Sequence, residues 1–190
     1  MRTRLFATLL GLSTLAFQVQ AQNATYVVEA DHSFVTFAVV HNGTSTTRGR
    51  FDTVTGSIQL DQAAQKGQAS IVIDMNSINS GSTGFDEHLR TKDFFDTSAF
   101  PTARFESSAF TFEGDRVTSL SGTLTLLGVQ QPVALTASHF NCYANKRLQR
   151  DVCGGDFEAT IQRSQWGMNF GIPGIPDSVR LEIQIEAIKQ

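Results

Sequence analysis

The feature that most constrains this chain is a hydrophobic alternation of period two that returns again and again along it. In Ser33–His41 it places Val35, Phe37, Val39 and His41 on one face. Ala69–Met75 does the same with Ile71, Ile73 and Met75, and Thr102–Ser108 repeats it around Phe105. Leu120–Leu126, Pro132–Ala137 and Phe157–Arg163 follow, and Val179–Ala187 sets five apolar residues against Arg180, Glu182, Gln184 and Glu186. Alternation of this kind belongs to strands with one buried face. Asn42-Gly43, Gly56, Gly67, Gly114-Asp115 and Gly128 separate successive segments and supply turn chemistry. The pattern implies an all-β antiparallel meander of about seven to nine strands, closed as a barrel or sandwich.

One stretch breaks the period. In Gly81–Phe100, Phe85, His88, Leu89 and Lys92 fall at helical spacing, so a connection carrying a short helix is expected between strands. Long ordered connections of this kind often serve as lids or functional loops.

At the start, Arg2 and Arg4 precede an apolar run from Leu5 to Phe17, and Val19-Gln20-Ala21 offers a small-residue cleavage site. Residues 1–21 therefore read as a signal peptide and residues 22–190 as one domain. The expected location is periplasmic, with secretion as the other extracytoplasmic outcome. Without Arg2 and Arg4 the 15 basic residues become 13, and the formal charge moves from −3 to −5. A mildly acidic domain with scattered arginines is a poor partner for nucleic acid.

Cys142 and Cys153 have ten residues between them. In an exported chain a structural disulfide is the favoured reading, with a redox or metal pair as the alternative. No G-x-S-x-G, HExxH, P-loop or GxGxxG occurs. The histidines His32, His41, His88 and His139 are dispersed, which is thin support for a metal or haem site. Neither a metal nor a required cofactor is expected. Arg48, Arg50, Arg90 and Arg163 are the cations to consider beside an anionic head group. Phe occurs 15 times against two Tyr and one Trp. Phe carries no polar handle, so the excess points to greasy interior surface. Periodicity alone leaves open whether that interior is a filled core or a hollow lumen.

From Asp31 onward the chain resembles the YceI-like family of polyisoprenoid-binding, lipocalin-like periplasmic proteins. The motifs that carry the likeness are Asp31–His41 (DHSFVTFAVVH), Gly49-Arg-Phe51, Gly56-Ser-Ile58, Asp86–Arg90 (DEHLR) with Asp93–Asp96 (DFFD), and Phe100–Ser107 (FPTARFES). Gly122–Gly128 (GTLTLLG), Pro132-Val133 and Arg163–Met168 (RSQWGM) continue it, and the two cysteines with Gly154–Phe157 (GGDF) resemble a branch that carries a disulfide loop.

The resemblance implies an extended antiparallel lipocalin-like β-barrel of about eight strands with a short helical insertion. It also implies a non-enzymatic role: binding, storing or transporting a long-chain isoprenoid lipid, a polyprenyl species or an isoprenoid quinone such as ubiquinone, in an apolar lumen. Carried over motif by motif, the ligand-binding positions are Phe37, Val39, His41, Phe51, His88, Leu89, Phe94, Phe95, Phe105, Leu124, Leu126 and Trp166. His88 fits a structural role in its motif equally well. A homodimer and transient contact with a membrane or membrane protein are compatible with such a barrel. Two other readings compete: a stress-response or interaction barrel with a filled lumen, and an enzyme on an apolar substrate with His41 or His88 as acid/base beside Asp86 or Asp93.

Overall fold

The structure, a computed structural model, describes residues 23–190; the expected signal peptide at residues 1–21 lies outside the described residues. The strands are β1 (Ala24–Val28), β2 (Phe34–His41), β3 (Ser45–Phe51), β4 (Val54–Asp61), β5 (Lys66–Asp74) and β6 (Ile78–Asn79). One helix, α1 (Thr83–Leu89), precedes β7 (Thr102–Glu113), β8 (Arg116–Leu126), β9 (Val129–Asn145), β10 (Arg150–Gln162) and β11 (Ser178–Lys189).

All the pairings are antiparallel, and eight strands form a closed ring in the order β1-β4-β5-β7-β8-β9-β10-β11, with β11 returning to β1. The remaining three, β2, β3 and β6, continue the sheet from the other half of β11. They are extensions of ring strands interrupted at one level. β1 breaks at residues 29–33 before β2, β3 passes to β4 through Asp52 and Thr53, and β5 passes to β6 through the turn Met75–Ser77. Hydrogen bonds stitch these kinks together. Ser77 accepts from Asp52 N at 3.2 Å through its carbonyl and from Thr53 N at 3.0 Å through its hydroxyl. Ser33, fully buried, bridges both backbone groups of Glu186, donating at 3.2 Å and accepting at 3.1 Å. The barrel of about eight strands expected from the resemblance is the one observed, with three of its staves bent.

Two glycines expected at turns lie inside strands. Gly56 sits within β4 at φ 143°, where a Cβ would come within 2.1 Å of the Ser70 carbonyl on β5. Gly67 sits in β5 under the ring of Phe110. Close approach, rather than chain reversal, is what these positions require.

Three hairpins and both described chain ends gather at one end of the barrel, the base. Gln62 and Gln65 donate to Asp115 O and Gly114 O at 2.8 and 2.9 Å, tying the β4–β5 hairpin to the β7–β8 hairpin. Lys189 bonds Asp151 at 3.0 Å and ties β11 to β10. Cys142 and Cys153 face each other in the β9–β10 register and form a disulfide.

The opposite end carries the irregular segments. Seven residues make α1 marginal by itself, and its neighbours hold it. Asp86 accepts from the amide and hydroxyl of Ser80 at 2.7 and 2.6 Å, and Arg90 donates to the carbonyls of Asn76 and Ile78. The β10–β11 connection is anchored by Arg163, only 3% exposed. Its Nε, Nη1 and Nη2 donate to the carbonyls of Pro176, Met168 and Ile175 at 3.0, 3.0 and 2.9 Å. Burial lowers the Arg163 pKa against a smaller opposing pull from Asp177. Asp177 accepts from Ser164 N at 2.7 Å and Ser164 Oγ at 2.6 Å, and these bonds, the hydroxyl foremost, hold its carboxyl below the ordinary 3.8.

Three measurements follow from this buttressing. Arg163→Met leaves three carbonyls without their charged donor and is expected to cost about 2–4 kcal/mol in urea unfolding; hydrogen exchange across residues 167–177 is expected to accelerate. Arg163→Lys, a point donor in place of a planar fork, is expected to restore little of either. The Asp177 contribution is complete above its unfolded value and is lost as pH falls through the lower folded one, so the protection factors of that connection, taken relative to the intrinsic exchange rate at each pH, are expected to fall on acidification below about pH 4 and Asp177→Asn is expected to abolish that fall. Replacing both cysteines by alanine is expected to lower stability by about 2–3 kcal/mol, the loop-closure value for so short a ring.

Candidate ligand-binding site

The inward faces of the strands enclose a cavity of about 360 Å³, within the roughly 300–1,000 Å³ span of ligand sites. It is long rather than round. On β11 alone Val179, Leu181, Ile183, Ile185 and Ala187 all line it, eight residue steps that span roughly 27 Å along the strand. Its wall is hydrocarbon nearly throughout. The polar or charged side chains that reach it are Tyr26, His41, Thr47, His88 and Arg163, and Arg163 has already committed its donors to three carbonyls. Ten of the fifteen phenylalanines line it.

The open end lies among the irregular segments. Phe37 on β2, Phe51 on β3 and Phe95 after α1 form one aromatic group, with ring centroids 5.3–6.2 Å apart. His88, Phe94 and Phe170 form a second, at 5.1–5.5 Å, with the imidazole edge-on to both rings. His88 also reaches Asp93 at 3.4 Å. Phe170 is 44% exposed and Ile172, two residues on, is 38% exposed, so the lip of the opening is itself apolar. Toward the base, Tyr26, Leu60, Val117, Cys153 and Ala187 are all buried.

Of the twelve positions carried over from the family motifs, eleven line this cavity. Phe37, Val39, His41 and Phe51 come from β2 and β3; His88, Leu89, Phe94 and Phe95 come from α1 and the turns after it; Phe105, Leu124 and Leu126 come from β7 and β8. Trp166 is the correction. It is 2% exposed and does not line the cavity; its indole Nε1 donates to Leu124 O at 3.1 Å, which fastens the Arg163–Trp166 turn behind the wall. The family motif carried it over as a strand position, and the chain has already left the strand there.

The four arginines considered for a head group are occupied elsewhere. Arg90 and Arg163 bond backbone carbonyls; Arg50 pairs with Asp52 and lies over the Phe34 ring at 4.3 Å; Arg48 reaches Thr46 O. His88 meets Asp93 rather than Asp86, whose Oδ1 accepts from Ser80. Among the described residues no three His, Cys, Asp or Glu side chains converge. Sequence reasoning missed Tyr26, Phe110, Phe140, Phe157 and Phe170 as lining residues. Phe157, with Ile183 and Ile185, lies on faces the alternation marks as inward and could have been included; Tyr26 lies in a five-residue strand with no period of its own.

The comparisons with known proteins bear on the whole chain. The family model described as YceI-like domain matches residues 26–187. A UPF0312 protein of Vibrio vulnificus is 32% identical over 198 residues, covering 100% of each chain, and one of Pseudomonas aeruginosa is 31% identical over 193 residues with the same coverage. Among solved structures, Burkholderia cenocepacia BcnA superposes with a TM-score of 0.68 at 24% identity, covering 84% of this chain and 99% of its own. A polyisoprenoid binding domain from Saccharophagus degradans superposes at 0.65 with 20% identity, covering 89% and 100%. A closed antiparallel barrel with an insertion after its bent strands, matched over nearly all the described residues, shows that the chain belongs to the YceI-like domain family.

Proposed function

We propose that this protein binds a long-chain isoprenoid lipid in the barrel lumen, and stores or carries it in the periplasm. The observation that carries the reading is the long hydrocarbon lumen, open at one end. A polyprenyl species or an isoprenoid quinone such as ubiquinone offers carbon along nearly its whole length. Each buried methylene is worth about 0.8 kcal/mol, so a few five-carbon units supply more than ten gross. Ordering the chain and immobilising it take back a large part. A site with few hydrogen-bonding groups loses nothing by receiving such a chain. A quinone or phosphate end belongs at the mouth, beside His41, Thr47 and His88. The name of the Saccharophagus relative as a polyisoprenoid binding domain supports the same ligand class. The apolar lip at Phe170 and Ile172 supports transient contact with a membrane that supplies or receives the lipid. No cofactor enters this reading; the bound lipid is the ligand.

The cavity weighs against a barrel with a filled lumen. An enzyme reading has one pair to work with, His88 and Asp93 at 3.4 Å, set among Phe94 and Phe170, and the one hydroxyl besides Tyr26 in the lining is Thr47 on another strand.

Protein purified under native conditions from a host rich in isoprenoids is expected to release a long-chain amphiphile on solvent extraction, near one mole per mole by mass spectrometry. An extract that is repeatedly empty, together with no uptake of added polyprenol or quinone, contradicts the proposal.

A further inference from the structure

Resting on the isoprenoid reading above, we infer that the Tyr26 ring is the floor of the lumen and sets the longest chain the barrel can enclose. Tyr26 lies on β1, the shortest strand of the closed ring. It faces Ile58 on β4 and Lys189 on β11, the last register pair by which the ring closes. It is 5% exposed and lines the cavity at the end remote from His41 and His88. Its register partner Lys189 pairs with Asp151 at 3.0 Å, and both side chains are partly exposed to solvent. Burial raises the Tyr26 phenol above its ordinary 10.0; Lys189 works against that rise and Asp151 with it. The hydroxyl is therefore within the field of the ion pair, while the ring lies against the lumen.

The consequence is a step in selectivity that an open tube would lack. A prenyl chain entering from the Phe170 lip gains buried area with each isoprene unit until its far end meets the ring. Units added after that remain outside the mouth, where they gain nothing. Ala69 lies in the same registered row, toward the same end: it pairs with Ile58, the residue that pairs with Tyr26, and it also lines the cavity. It gives a second handle of opposite sign, because a larger side chain there raises the floor as a smaller one at position 26 lowers it.

The test is a titration of delipidated protein with all-trans prenols that differ by one isoprene unit, read by displacement of bound N-phenyl-1-naphthylamine. In the wild type, affinity is expected to climb about tenfold or more per unit and then to stop climbing at a definite length. Tyr26→Ala is expected to move the break to a prenol at least one unit longer, Ala69→Leu to one at least one unit shorter, and Tyr26→Phe to leave it in place. Thermal unfolding of each variant identifies any that has lost its fold, and the Ala69→Leu arm decides the question without altering β1. Break points at one length in wild type, Tyr26→Ala and Ala69→Leu, with prenols bound normally, overturn the floor assignment and leave the isoprenoid reading intact. Absence of binding at every length in the wild type overturns the isoprenoid reading itself.

Discussion

Tyr26, Val27 and Val28 pair with Lys189, Ile188 and Ala187, and through those three residues the sheet loses its free edge at the base. The rest of the molecule depends on that closure. A closed sheet satisfies its backbone groups by itself, so the barrel wall stands without a partner sheet packed against it. In a sandwich the inward side chains of two sheets must interdigitate to exclude water. In this ring of eight they project toward an axis from all sides, and hydrocarbon side chains of ordinary length leave space between them. A ring of eight can also be filled by its own side chains; here their sizes leave a cavity of about 360 Å³. The sequence also chooses the chemistry of the wall, and the choice of Phe, Ile, Leu and Val leaves little that a hydrogen-bonding ligand could use.

The two ends are built differently. The base uses short hairpins tied by glutamine side chains and one ion pair, all of them economical surface contacts. The mouth is made of segments that could not hold their shape alone, and two arginines hold them by collecting backbone carbonyls. Arg90 joins α1 to the β5–β6 kink, and Arg163 gathers the β10–β11 connection. A buried guanidinium with three carbonyl partners orders irregular chain without needing a second charge. The aromatic side chains at the lip, Phe94 and Phe170 with His88 between them, rest on these two anchors. Order at the opening therefore comes from polar chemistry hidden behind an apolar surface.

Much of the fold was legible because a buried face leaves a period of two. Each of the seven alternating segments lies on a strand, and the one stretch without alternation contains the helix. The strands that escaped have physical reasons for doing so. β1 has five residues, too few to show a period. β3 (STTRGRF) has Gly49 at an inward position because the Phe37 ring occupies the space a Cβ would need. The hairpin halves of β9 and β10 carry small and polar residues beside Phe140 and Cys153, which line the lumen, so no apolar alternation marks them. The site was legible where family motifs and inward faces coincide, as at Phe37, Phe51 and Phe105. It was not legible at Arg163, where the cage of carbonyls comes from loop residues whose conformation no local pattern specifies. Trp166 failed for the converse reason: a large apolar residue next to a strand can serve the wall from behind.

The central claim is that the lumen receives a long apolar chain end to end. A crystal structure of the protein grown with an added all-trans polyprenol tests it most directly. The expected result is continuous density along the barrel axis, from the rings of Phe94 and Phe170 past Ile183 and Phe105 to Tyr26. Density confined to the outer surface, or a lumen closed by its own side chains with the prenol absent, would contradict it.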